Sequence, residues 1–419
     1  MYDLVRYYII PPIFLVFFTG VTQVLVSLGN PYRPFELSSL FNPGTQYSWT
    51  VVSIFMFWAF LSLKIPSKEF LGPTTPAGYT PRDFCPPHHT YIIGTSVVTS
   101  CDPPCTEYRV FVHPDLPLDI FSNFGDIVAS LNLFSLIFCA YLLVKGRLFP
   151  EVNEGATDKP LPYQFYAGIE LHPRLFGVDI KQWTNCRVGM LGWALLVLNF
   201  SIASSQLNSF KLAPFSNSVL INLYLLKFFY WETGYFNTLD ITLDRAGYYL
   251  CWGCLTWVQV FYTFSAYYLV AQPSKVSDSG AFAIFLFGLI SLILNYWADY
   301  QKEIFKARDG ECTIWGRKAK FVPVQYIAHD GKKRKSKLLI SGFWGVSRHL
   351  NYVWELLLAL SWSLPGLGSG PWTFMYFIFL VVLLVHRTFR DEEKCSSKYG
   401  KGWTEYCKLV QYRLIPYIF

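Results

Sequence analysis

Two runs of the chain set ionisable side chains into apolar surroundings. The C-terminal one, LLVHRTFRDEEKCSSKYGKGWTEYCKLVQYRLIP from Leu383 to Pro416, follows directly on an apolar stretch. At about 100° per residue, Arg387, Arg390, Asp391, Cys395, Lys398 and Tyr399 fall on roughly half of a helix circumference, so they can converge on one ligand. Guanidiniums, an ammonium, a carboxylate and a phenol suit a phosphorylated, ring-bearing cofactor, because arginine binds phosphate bidentately and tyrosine can stack or donate. The bland alternative is a solvated juxtamembrane helix drawn to anionic lipid. The run from Ser341 to Tyr352 weighs against it, since Trp344, Arg348, His349, Asn351 and Tyr352 face the same mouth.

The second run, FFYWETGYFNTLDITLDRAGYY, places Glu232, Tyr235, Asn237, Thr238, Asp240, Thr242, Asp244 and Arg245 between two apolar segments. A carboxyl buried in a membrane is pushed towards its protonated form, which suits a proton donor to an apolar substrate. An equally weighted reading is a capped interhelical turn, with Asp244 paired to Arg245 or to a helix end.

The elements that must position these residues are membrane helices. The chain is 53% hydrophobic and 19% aromatic, with 15% charged residues, against roughly 25% in soluble domains, and its mean hydropathy is +0.29. Apolar runs with aromatic flanks predict spans at Tyr7–Gly29, Trp49–Leu63, Ile127–Val144, Val188–Ser205, Val219–Tyr230, Tyr248–Val270, Ala281–Trp297, Tyr352–Leu364 and Trp372–Val385. Pro365, Gly366, Gly368, Gly370 and Pro371 break the last pair into a tight helical hairpin. Of 35 Lys and Arg, 12 lie from Lys302 to Arg348 and 7 more from Arg387 onward. A positive-inside bias accounts for the net charge of +7 without nucleic acid and places both segments in the cytosol. The polar insertion from Asp299 to Leu350, with the basic tract Lys332–Lys337, is either an anion platform or a solvated topogenic loop.

Other chemistries lack their signatures. GLGSGP from Gly366 lies between apolar helices rather than between a strand and a helix, and no P-loop, H-E-x-x-H or G-x-S-x-G run occurs. Cysteines scattered through apolar runs, such as Cys139, Cys251 and Cys254, read as small hydrophobes. Cys85, Cys101 and Cys105 share a polar segment with His88 and His89, but the spacing matches no standard zinc pattern, so no metal is expected.

The run LVHRTFRDEEKCSSKYG, from Leu384 to Gly400, resembles the signature of the membrane sterol reductases that act on the C14 or C7 double bond. GIELHPR (Gly168–Arg174), CTIWGRKAK (Cys312–Lys320) and KLLISGFWGVSRHLNY (Lys337–Tyr352) resemble further blocks of that family. WETGYFNTLDITLDRAGYYLCWGC (Trp231–Cys254) resembles the branch of the 7-dehydrocholesterol reductases. The departures are His172 for the usual Asn, Lys306 where Arg is common, and Trp354-Glu355 where many members have Gly-Asp.

The resemblance implies an all-α, polytopic transmembrane bundle of about ten helices in the endoplasmic reticulum membrane, with a C-terminal, cytosol-facing cofactor pocket. Residues 1–298 would contribute the sterol pocket and 299–419 the NADPH site. It implies NADPH contacts at Lys302, Lys306, Leu339, Trp344, Asn351, Tyr352, Asp391, Cys395, Ser396, Ser397, Lys398, Tyr399 and Tyr406, and reduction of the C7=C8 bond of a 5,7-diene sterol entering from the bilayer. Because the sterol alkene is not electrophilic, hydride transfer needs a proton on the other carbon. Asp391, Tyr235, Glu232 and Asp240 are the expected acid or relay groups, with Tyr262 behind them. The rival functions are a C14 sterol reductase, an S-adenosylmethionine-dependent membrane methyltransferase and a non-catalytic sterol-binding protein.

Overall fold

The computed structural model describes residues 2–65, 68–71, 80, 82–85, 114–152, 158–236, 238–327 and 333–419. They form two units, Met1–Pro273 and Ser274–Phe419.

The first unit is helical. Its main elements are α1 (Val5–Gly29), α2 (Gln46–Ser62), α3 (Leu116–Ser122), α4 (Phe124–Leu148), α5 (Leu161–Ala167), α6 (Gln182–Asn208) and α7 (Leu212–Tyr230). Two short turns, α8 (Glu232–Tyr235) and α9 (Leu239–Thr242), precede α10 (Tyr248–Tyr262) and α11 (Phe264–Ala271). Two antiparallel hairpins join them: β1 (Lys68–Leu71) with β2 (Arg82–Cys85), and β3 (Arg174–Leu175) with β4 (Val178–Asp179).

Hydrocarbon gives no hydrophobic drive between helices, so polar pairs hold them. Asn132 on α4 donates to Thr22 of α1 at 2.8 Å and accepts from the Trp252 indole of α10 at 2.9 Å. Tyr267 of α11 donates to the Val26 carbonyl at 3.1 Å.

The second unit opens with α12 (Asp278–Ala307), capped by the Ser277 hydroxyl, which accepts from Gly280 N. Two antiparallel hairpins follow, β5 (Thr313–Ile314) with β6 (Arg317–Lys318), and β7 (Phe321–Ile327) with β8 (Lys333–Leu339). Then come α13 (Phe343–Val346), α14 (Leu350–Ser363), α15 (Met375–Tyr399) and α16 (Lys401–Leu409). Val322 and Val324 of β7 pack on Trp403, Tyr406 and Val410, so the hairpin has its own small core with the C-terminal helix.

Among the described residues, 6 helical segments are long and apolar enough to cross a membrane: Val5–Gly29, Phe124–Leu148, Gln182–Asn208, Leu212–Tyr230, Asp278–Ala307 and Pro371–Tyr399. Exposed apolar side chains on them, such as Phe17, Ile137, Ile290 and Val382, suit contact with lipid. The expected spans at Trp49–Leu63, Tyr248–Val270 and Tyr352–Leu364 are helical where expected but fall outside these six. Two are helices of only 17 and 14 residues, short of the roughly 20 a crossing needs. The third divides at Thr263 into a wide π-wound segment and a short α-helix.

From Lys333 on, the basic tract is neither an open loop nor helical, because Lys333–Leu339 pairs in register with the alternating FVPVQYI of β7. Proline and glycine do form the expected tight hairpin, with Gly368 at φ +76° between two short 3₁₀ turns. His88, His89, Cys101, Cys105 and Asn237 lie outside the described residues, as does the side chain of Cys85.

The GIELHPR block is a close crossing of two backbones. Gly168 sits at φ +87°, and a Cβ there would lie 2.5 Å from the Ala246 carbonyl carbon. Ala246 N donates to the Glu170 carbonyl at 3.0 Å, and the Glu170 carboxylate accepts from Lys145 at 3.0 and 3.1 Å. Gly168→Ala should therefore cost more than about 1 kcal/mol, read as a lower thermal midpoint of the full chain in detergent. Gly253→Ala, where a Cβ meets nothing within 4 Å, should leave the midpoint unchanged.

Candidate active site

Arg348 organises the polar end of the second unit. Its Nη2 donates to Glu392 Oε1 at 2.6 Å, and its Nη1 donates to the Val410 and Gln411 carbonyls at 2.6 and 3.0 Å. Arg413 Nε donates to the other Glu392 oxygen at 2.8 Å. Backbone bonds continue the join, from Arg348 N to the Tyr412 carbonyl and from His349 N to the Arg413 carbonyl, both at 3.0 Å. The segment before α14 is thereby fixed to α15 and to the C-terminal tail.

This clamp presents His349. Its ring stacks on Tyr352, with centroids 5.1 Å apart, and its Nε2 lies 3.8 Å from Asp391 Oδ2. Burial drives the imidazole down to about 4, and the cations of Lys302 and Arg348 act in the same direction against Asp391 and Glu392. The ring is consequently neutral at physiological pH.

Several residues expected from the sequence meet here. The Lys302 ammonium stands 4.0 Å over the Trp344 ring, and the Trp344 indole donates to the Ala298 carbonyl at 2.8 Å. Lys306, one turn further along α12, shares its electrostatic surroundings with Lys302, Lys398, Asp391 and Cys395. Cys395 Sγ is 3.9 Å from Asp391 Oδ2. The Lys398 ammonium stands 4.2 Å over Tyr326, whose ring meets Tyr399 edge-on. Asn351 donates to Asp299 Oδ1 at 3.1 Å, and its carbonyl accepts from Asn295.

Other expected residues lie to the side. Leu339 is buried with Phe305, Ile314 and Trp344, and Tyr406 stacks on Trp403. Ser396 and Ser397 are exposed on α15, where the Ser397 hydroxyl donates to the Lys394 carbonyl.

The polar atoms left over bear on a cofactor. Asn351 Oδ1 and His349 Nε2 are buried with no hydrogen-bond partner among the described residues. Three ammoniums beside two such atoms fit an anionic group that also carries donors and acceptors. A phosphorylated dinucleotide meets both conditions.

The remaining candidates are in the first unit. Glu232 is buried, accepting from Gln182 at 3.1 Å and from Arg187 Nη2 at 3.0 Å. Its position matches a pinned interhelical turn. Tyr235 packs with Cys186, Phe236 and Ile241, and Phe228 lies against that cluster. Asp240 offers its carbonyl to Lys181, a fully buried ammonium that also donates to the carbonyls of Ile241 and Asp244. Burial pushes Lys181 down to about 8, opposed by the nearby carboxylates. Asp179 caps the start of α6 by accepting from the backbone of Lys181 and Gln182, with His172 at 3.4 Å. Tyr262 meets Trp193 edge-on.

Lys181, Arg187, Glu392 and Arg413 were not singled out from the sequence. For the first two the available signal is charge at the head of an apolar run.

The chain matches the Ergosterol biosynthesis ERG4/ERG24 family over residues 95–419. It belongs to that family of sterol reductases. It is 37% identical to a 7-dehydrocholesterol reductase of Arabidopsis thaliana over 379 residues, covering 90% of this chain and 86% of the relative. Over 401 residues it is 33% identical to a 7-dehydrocholesterol reductase of Xenopus laevis, covering 92% and 84%. A Delta(14)-sterol reductase of Dictyostelium discoideum is 31% identical over 384 residues, covering 88% and 76%.

Glu392→Ala would leave Arg348 buried beside an empty site. Breaking a buried pair in this way costs about 3 kcal/mol or more, so the detergent-solubilised chain should melt at a markedly lower temperature than the wild type. An unchanged midpoint would show that the clamp carries no stability.

Proposed function

We propose that this chain is an NADPH-dependent reductase of the C7=C8 double bond of 5,7-diene sterols, working in the endoplasmic reticulum membrane. The observation that carries the reading is the match along about nine-tenths of the chain to relatives named 7-dehydrocholesterol reductase. The C14 reaction is the second reading, since a Delta(14)-sterol reductase also matches over most of the chain.

NADPH would be held by Lys302, Lys306 and Lys398 through its phosphates, and by Asn351, Tyr352 and Trp344 through its rings and amides; when bound, it supplies hydride. The chain's own residues supply the rest. Trp344, held by its bond to the Ala298 carbonyl, presents a fixed ring beside Lys302. Neutral His349 lies 3.8 Å from Asp391 and sets no positive charge beside it. Asp391 is the acid we assign to protonation of the alkene carbon opposite the hydride, where developing positive charge needs relief, and Tyr235 is the alternative. Glu232, with both oxygens engaged by Gln182 and Arg187, positions the turn that carries Tyr235. Sterol would enter from the bilayer, where apolar surroundings exclude competing water.

Microsomes containing the chain, incubated with NADPH and either 7-dehydrocholesterol or an 8,14-diene sterol, should consume only the 5,7-diene. Turnover of the 8,14-diene alone would transfer the protein to the other branch. Asp391→Asn should abolish turnover while sterol binding persists; full turnover in that variant would remove Asp391 from the chemistry.

A further inference from the structure

The β5–β6 hairpin carries a feature that cofactor binding leaves unused. Its two-residue turn is Trp315-Gly316, flanked by the paired residues Ile314 and Arg317. Trp315 adopts φ +50° and Gly316 φ +73°, the positive values of a mirror-type hairpin turn, which Asn, Asp or Gly fill with little strain. A bulky side chain is unfavourable there. Trp315 nevertheless occupies the position and is 50% exposed. Such strain in an exposed turn calls for a compensating contact.

The aromatic neighbours fix its level. On α12, Tyr296, Trp297 and Tyr300 follow the apolar part of the helix and adjoin Asp299, Lys302 and Glu303, the pattern of a membrane–water boundary. Trp297 is 45% exposed. The Phe343 ring joins the two tryptophans, edge-on to Trp297 at 5.5 Å and edge-on to Trp315 at 5.0 Å. At 30 residues α12 is about 45 Å long, so its end rises well beyond about 30 Å of hydrocarbon. The hairpin therefore folds back and returns Trp315 to within one ring of the boundary.

The charges beside it are basic. Arg317, Lys318 and Lys320 are all exposed, and Lys318 has Glu311 at 3.3 Å across a solvated pair, which opposes binding only weakly.

We propose that the β5–β6 hairpin is a membrane-interface foot. Trp315 enters the headgroup layer of the bilayer that α12 spans, beside Trp297, and Arg317, Lys318 and Lys320 engage anionic phospholipid headgroups. Tryptophan is favoured at that depth because one edge of its ring is apolar and the other donates. Each basic residue gains from the negative surface potential of an anionic leaflet. The foot fixes the level of the hairpin on the membrane independently of which sterol is reduced.

The test uses the full chain in nanodiscs of phosphatidylcholine and phosphatidylserine, with photoreactive p-benzoylphenylalanine at position 315 or, as a marker of correct insertion, at 297. Adducts are identified by mass spectrometry after irradiation. Phospholipid adducts are expected at both positions. With Arg317→Glu and Lys318→Glu together, the phosphatidylserine adduct at 315 should fall several-fold while that at 297 stays constant. Lipid adducts at 297 with none at 315, or a protein adduct at 315 in their place, would overturn the proposal. So would a phosphatidylserine yield at 315 that ignores the charge reversal.

Discussion

A guanidinium buried away from water needs a carboxylate and further acceptors close by, and that requirement at Arg348 governs the second unit. Glu392 neutralises it, two tail carbonyls accept from its Nη1, and Arg413 completes the carboxylate. Because these partners come from α15 and from the residues after α16, meeting the charge requirement also joins three stretches far apart in sequence. His349 and Tyr352 inherit their positions from that join. The low-dielectric interior that makes the pair costly to break also keeps His349 neutral beside Asp391.

The first unit solves the same problem with different partners. Arg187 and Glu232 pair with their side chains buried, so the turn that carries Tyr235 is anchored to the start of α6. Lys181 has carbonyls for partners, and those it takes from Ile241 and its neighbours are left open around the short α9 turn. In each unit a buried cation holds an irregular stretch of backbone next to the residues on which chemistry would depend.

Much of this was legible in the sequence, for identifiable reasons. The convergence of Asp391, Cys395 and Lys398 follows from helical periodicity alone, and α15 is a helix through all three. The tight hairpin at Pro365–Pro371 follows from residues that cannot continue a helix. The β7–β8 hairpin was hidden because KRKSKLL has no apolar alternation of its own, and its pairing depends on FVPVQYI across the turn. Glu392 was hidden as one acid among several in DEEK, since only the fold brings Arg348 and Arg413 to it. Lys181 was hidden because its partners are carbonyls about 60 residues away in sequence, which no side-chain motif records. The apolar runs at Trp49 and Tyr352 do form helices, Gln46–Ser62 and Leu350–Ser363, but at 17 and 14 residues they stay short of a full crossing.

The central claim is that the cationic end of the second unit is an NADPH site. Equilibrium binding of NADPH and of NADH to the purified full chain, measured over a range of salt concentrations, tests it most directly. The account predicts tighter binding of NADPH, an advantage that shrinks as salt rises and that Lys302→Ala, Lys306→Ala and Lys398→Ala each reduce. Equal affinity for the two nucleotides, indifferent to salt and to all three lysines, would contradict it.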